Sequence, residues 1–174
     1  MAIKKSVWVL FVILVISAWV LGSATNTRAE TMNYKSYSYV LKAEDVPVGD
    51  VEGHTVGLSI RRAFYVFETG EVATSNSVAT RELISGVGSF VQYTTINFSD
   101  GSTIIIKSRG TGGGTAAGAQ TSGGWTSEII KGTGRFEGIK GTQSAKAKYL
   151  PIEKGEAGPK GIAEGSINYT LPSK

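Results

Sequence analysis

Between Lys131 and Gly141 the chain reads Lys-Gly-Thr-Gly-Arg-Phe-Glu-Gly-Ile-Lys-Gly. Glycines at 132, 134, 138 and 141 sit between two β-patterned segments, Trp125 to Ile130 and Thr142 to Leu150. Glycine lets a chain turn sharply, and one large apolar side chain at the turn fixes it to a core. Gly132, Gly134, Gly138 and Gly141 therefore read as a structural turn, with Phe136 as its plug. A phosphate-binding loop would need a helix after it and, for a P-loop, a Gly-Lys-Ser/Thr ending. Neither is present, and the glycines are spaced Gly-x-Gly-x-x-x-Gly.

The rest of the chain carries the same β pattern. Asn33 to Ala43 alternates with period two, placing Tyr37, Tyr39, Leu41 and Ala43 on one face. His54 to Ile60 alternates again, and Gly57 inside it signals a bend, a bulge or a close backbone approach. Ala63 to Phe67 is a denser aromatic run, and Val72 to Leu83 reads as a more polar strand pair. Ser89 to Phe98 and Ser102 to Lys107 flank Ser99-Asp100-Gly101, the turn chemistry of a tight hairpin. Residues 110–124 have no charge and, before Trp125, no large apolar side chain, which predicts a mobile surface loop. Thr142 to Leu150 and Ile162 to Leu171 supply two more strands. Seven to nine strands and no helical period after the N-terminal segment predict an all-β fold, an antiparallel sandwich or a closed β-barrel, the barrel having no free edges.

Residues 1–29 stand apart. Lys4 and Lys5 precede an apolar run from Val7 to Leu21, followed by small residues at Gly22-Ser23-Ala24 and Thr27-Arg28-Ala29. This is the pattern of a secretory signal peptide cleaved after Ala24 or Ala29, and Ala29 is preferred. The expected organisation is a signal peptide at 1–29 and a single domain at 30–174, secreted or periplasmic, with no membrane association after cleavage. Three of the 18 basic residues lie in the signal and none of the 14 acidic ones, so the remainder is almost neutral. A nearly neutral chain without a clustered basic face argues against nucleic acid as a partner. There is no cysteine, so the core must provide the stability that disulfides give many exported domains.

The order of these motifs resembles the allene oxide cyclase-like barrels, a group that includes the plant dirigent proteins. The likeness lies in the Phe98-Ser99-Asp100-Gly101 hairpin followed by Ile129-Ile130-Lys131-Gly132-Thr133-Gly134-Arg135-Phe136-Glu137-Gly138. It covers residues 90–150 best. The resemblance implies an eight-stranded antiparallel closed β-barrel, a lumen for a small hydrophobic ligand, and a homo-oligomer, often a trimer. The cyclases' first-strand glutamate has no counterpart in Ser38-Tyr39-Val40-Leu41-Lys42, and their barrel cysteine is absent. Asp100 and Arg135 are candidates for the dirigent lumen charges, although Asp100 is already explained by the turn.

His54 is the only histidine, which excludes multi-histidine metal sites. At a strand start it reads as a residue facing solvent or satisfied by a neighbour, in preference to one acting alone as a base. No Gly-x-Ser-x-Gly elbow exists, no catalytic set can be assembled, and no cofactor or metal is expected. The candidate lumen residues for ligand binding are Tyr37, Tyr39, Tyr93, Trp125, Glu128 and Arg135. Two functions follow from these readings. One is a non-catalytic barrel that binds a small hydrophobic or aromatic molecule or a partner. The other is a cyclase- or dirigent-type protein that steers a reactive ligand, which requires an ionisable side chain in the lumen.

Overall fold

The structure is a computed structural model that describes residues 28–113 and 121–173. The region expected to be a signal peptide lies almost wholly outside the described residues. Eight strands form a closed barrel: β1 (Ala29–Pro47), β2 (His54–Phe67), β3 (Val72–Ile84), β4 (Val87–Phe98), β5 (Thr103–Gly113), β6 (Thr121–Thr133), β7 (Lys140–Tyr149) and β8 (Gly161–Thr170). Each pairs antiparallel with the next, and β8 closes the barrel on β1, from Ala29 opposite Thr170 to Ser38 opposite Gly161. Every strand is hydrogen-bonded on both sides, so the sheet has no open edge.

Three sequence expectations change. Val72 to Leu83 forms one strand rather than a pair. His54 to Ile60 and Ala63 to Phe67 are two ends of one strand, β2. The loop expected over residues 110–124 shrinks, because Gly110 to Gly113 continue β5 and Thr121 to Gly124 begin β6. Glycine and threonine there pair through the backbone, which needs no large side chain: Gly110 lies opposite Trp125 and Thr111 opposite Gly124. Residues 114–120 lie outside the described residues.

One end of the barrel is filled. Ile96, Ile104, Ile106 and Ile167 are fully buried there, together with Tyr34, Tyr65, Phe67, Phe98, Phe136 and Tyr169. The aromatic rings lie within contact range of one another: Phe67 and Phe98 are 5.6 Å apart and Phe98 and Phe136 are 4.8 Å apart, centroid to centroid. Such pairs add to simple burial through their quadrupoles. The glycine segment supplies the plug. Gly134 takes φ +62° and starts a short 3-10 turn, Gly134–Phe136, which turns Phe136 inward to 3% exposure. An added Cβ at Gly134 would lie 2.4 Å from Ser102 Oγ. Arg135 lies over the same end, its guanidinium 4.7 Å from both the Phe98 and the Phe136 ring centroids. It pairs with Glu71 at 2.5 Å and Asp100 at 3.2 Å. Asp100 also accepts from the Ser102 backbone N–H, the role its place in the hairpin turn predicted.

The outer wall of β1 to β4 is unusually apolar. Val56, Leu58, Ile60 and Phe64 of β2, Val78 of β3 and Tyr93 of β4 all point outward and are exposed. Phe136→Ala removes a filled aromatic contact and should lower unfolding free energy by about 3–5 kcal/mol. Val78→Ser, on the exposed outer wall, should change it by less than about 1 kcal/mol. Urea unfolding of the two variants checks this assignment of inside and outside.

Candidate functional site

The opposite half of the barrel is not filled. The strand positions that carry aromatics at the plugged end carry small polar residues here: Ser36 and Ser38 of β1, Ser59 of β2, and Ser75 and Ser77 of β3 all point inward. An eight-stranded barrel is just wide enough to be filled by ordinary side chains. Short side chains therefore leave a cavity of about 250 Å³. Phe90, Trp125 and Tyr149 form its aromatic walls, and Ile152, Ala157 and Pro159 of the β7–β8 connection lie over it. That connection is braced internally by Lys160, which pairs with Glu156 at 2.8 Å and Glu153 at 3.4 Å.

Three charged side chains line the cavity among the described residues: Asp45, Arg61 and Arg81. A β-bulge between Val40 and Lys42 sets the position of the first. Before it, Tyr34, Ser36, Ser38 and Val40 face inward; after it the inward phase moves to Ala43 and Asp45. Asp45 lies opposite Gly57, and Gly57 lies opposite Arg81. A Cβ at Gly57 would come within 2.1 Å of Asp45 Oδ1. Because glycine occupies that place, Arg81 can reach over β2 and bind Asp45 in two-pronged fashion, Nε to Oδ1 at 2.9 Å and Nη2 to Oδ2 at 2.6 Å. Gly57 is thus the close backbone approach that its mid-strand position suggested.

Arg61 is held differently. Its Nη2 donates to Ser38 Oγ at 3.2 Å and to the Pro159 carbonyl at 3.0 Å, and its guanidinium lies 5.7 Å from the Tyr149 ring centroid. Burial disfavours its charge; the neighbouring Tyr149 favours it and Arg81 opposes it. Burial also pushes the Tyr149 phenol up, an effect that Arg61 partly offsets.

A polar layer separates cavity from plug. The Gln143 carboxamide, 1% exposed, accepts from Trp125 Nε1 at 3.3 Å and from Ser127 Oγ, and donates to the Tyr34 hydroxyl. Ser108 and Ser127 share a 2.8 Å hydrogen bond beside it. On the other wall Ser77 bonds Thr94 at 2.9 Å, and Gln92 donates to Thr94 at 2.9 Å. Burial pushes the Tyr65 phenol up to about 12 and raises Tyr34 as well.

The residues singled out from the sequence are scattered. Trp125 lines the cavity. Tyr37, Tyr39 and Tyr93 are 49%, 46% and 49% exposed on the outer wall, because they alternate with the inward serines and threonine. Glu128 is exposed on that wall too, in one row with Lys107 and Tyr93. Arg135 caps the plugged end instead of entering the cavity. Ser38 to Lys42 hold no acid; beyond the bulge, Asp45 of the same strand lines the cavity. Sequence reading also missed Arg61, Arg81 and Gln143. The one signal for them was phase: Ser59, Arg61 and Ala63 run in step with Tyr65 and Phe67, whose aromatic density marks the inside.

The described residues thus form a closed antiparallel barrel, plugged at one end and hollow at the other. No protein-family model matches the sequence, and no curated protein matches it. The fold is shared with solved dirigent proteins. "Structure of the pterocarpan synthase dirigent protein GePTS1" superimposes with a TM-score of 0.53 at 17% identity, over 88% of this chain and 96% of that one. "Structure of the pterocarpan synthase dirigent protein PsPTS1" gives 0.49 at 17% identity, over 84% and 97%. The first of these likenesses extends to the whole barrel the resemblance read from the glycine segment.

At the rim, His54 bridges the β1–β2 connection to β3. Its Nδ1 is 2.6 Å from Asp50 Oδ1 and its Nε2 is 3.2 Å from Glu82 Oε1. The hydrogen bond to Asp50 leads in raising the imidazole above its ordinary 6.5, and the same bond leads in lowering Asp50. The raised histidine contributes stability in full below pH 6.5, and this is lost as pH rises through its folded-state value. The lowered Asp50 contributes above its ordinary carboxyl range, and this is lost as pH falls through its own depressed value. The stability advantage of the natural chain over His54→Gln should therefore shrink as pH is raised from 6 toward 9, read as the difference in urea midpoints.

Proposed function

We propose that this is a ligand-binding barrel protein that holds a small aromatic or apolar molecule in the hollow half of its lumen. The observation that carries the reading is the cavity of about 250 Å³ between Phe90, Trp125 and Tyr149. It exceeds the ~150 Å³ cavity that accepts benzene in an engineered protein. Aromatic walls with a few fixed polar groups suit orienting a flat molecule by its edge. The fold-level likeness to dirigent proteins supports a binding or auxiliary role.

The proposal keeps three further elements from the sequence. Export is supported by Lys4, Lys5 and the Val7–Leu21 run, and N-terminal sequencing of the mature protein reads the cleavage site. Assembly as a homo-oligomer, a trimer by resemblance, is supported by the apolar outer wall, since exposed patches of this kind commonly meet another surface. Light scattering reads the molar mass. A non-catalytic role is preferred because no nucleophile–base set faces the cavity among the described residues. A cyclase- or dirigent-type role is the second reading, and Asp45 in the cavity is the observation favouring it. Arg81 engages both carboxylate oxygens, leaving Asp45 poorly placed to exchange a proton with a ligand.

Calorimetric titration with 2-naphthol should show saturable binding to the natural chain and none to Ala79→Trp, in which an indole fills the cavity. Trp125 fluorescence, isolated as the difference from Trp125→Phe, should change with the same midpoint. Titration without saturation in the natural chain would count against the lumen as a binding site.

A further inference from the structure

Charge within the hollow half does not balance. Asp45 is consumed by Arg81, and Arg61 remains with no carboxylate partner among the ion pairs of the described residues. No acidic side chain outside the described residues could supply the missing partner. All 14 acidic residues lie in the described segments, and neither 1–27 nor 114–120 contains one. The partners that Arg61 does have, a serine hydroxyl and a backbone carbonyl, are neutral. An unpaired guanidinium in a recess is costly to keep, because burial removes its water without supplying a counter-charge.

A second, independent feature lies one step deeper. Ser75 is 2% exposed and lines the same cavity beside the Tyr65 hydroxyl, its Oγ making no close hydrogen bond among the described residues. Arg61 lies opposite Ser77, and Ala63 opposite Ser75, so the guanidinium and the Ser75 hydroxyl occupy successive inward levels of adjacent strands. Ser36, Ser38 and Ser59 add hydroxyls around them. The cavity therefore combines a net positive charge, a planar fork of donors, a group of serine hydroxyls and aromatic walls.

Resting on the ligand-binding reading above, we infer that the natural occupant is an anion: an aromatic or alicyclic carboxylate whose acid group sits on Arg61. A carboxylate matches the two-pronged geometry of a guanidinium, and its second lone pairs can take the serine hydroxyls. The apolar body then lies against Phe90, Trp125 and Tyr149. A cavity of this size admits a one- or two-ring acid rather than a long-chain fatty acid.

The test is calorimetric titration of the full chain with 2-naphthoate and with its neutral analogue 2-naphthylmethanol, at neutral pH. The naphthoate should bind roughly tenfold or more tightly than the alcohol. Arg61→Met should abolish that preference, the two probes binding it with affinities within about twofold of each other, and Arg61→Lys should keep part of it. The unliganded Arg61→Met protein should melt no lower than the natural chain, since the substitution removes an uncompensated charge. Should that variant fail to fold, the anion-to-neutral ratio of the natural chain and Arg61→Lys still decide. Equal affinities for the two probes in the natural chain overturn the anion inference and leave the binding reading standing. A preference that survives in Arg61→Met places the anion elsewhere and also overturns it. Failure of both probes to bind removes the binding reading and the inference together.

Discussion

The β8–β1 ladder fixes everything inside this molecule. Once the eighth strand bonds to the first, the circumference is set, and the interior has a volume that side chains either fill or leave empty. At one end tyrosines, phenylalanines and isoleucines fill it. At the other, serines and alanines at equivalent positions do not. The cavity arises from what the strands place inward, with the β7–β8 connection lying over it. The Gln143 layer between the halves is the point at which apolar packing gives way to hydrogen bonding. Its carboxamide bonds groups from β1 and β6, so a polar side chain is kept in the middle of the barrel with both its oxygen and its nitrogen partnered.

Much of the architecture was legible in the sequence. The Asp100-Gly101 hairpin, the turn at Gly132 to Gly141 and the Phe136 plug all depend on local chemistry, which a sequence displays directly. The orientation of the strands was not legible in the same way. Period-two reasoning assumes that the apolar face is the inner one. In the hollow half of this barrel the assumption is inverted: Tyr37 and Tyr39 face out, and Ser36 and Ser38 face in. Phase can still be recovered by following each strand toward the plugged end, where Tyr34, Tyr65 and Phe67 declare which side is the core.

The bulge hid the second part of the site. A one-residue insertion in the β1–β2 ladder leaves no composition signal, yet it reverses the facing of every residue beyond it. Asp45 could not be placed inside from alternation alone. Arg61 and Arg81 were invisible for a related reason. A basic residue in a strand reads as solvent-facing unless its partner is known, and the partners here lie on other strands or on the Pro159 connection.

The bulge at Val40/Lys42 also separates two jobs within a single strand. Below it, β1 is bound to the phase that the plug demands, since Tyr34 must face Gln143. Above it, the strand is free of that constraint and presents a second, independently chosen set of side chains to the cavity. The mouth can thus vary its chemistry by substitution at 43 and 45 without disturbing the register on which closure rests. A rigid barrel in this way carries an adjustable rim as a property of its backbone, with no flexible loop required.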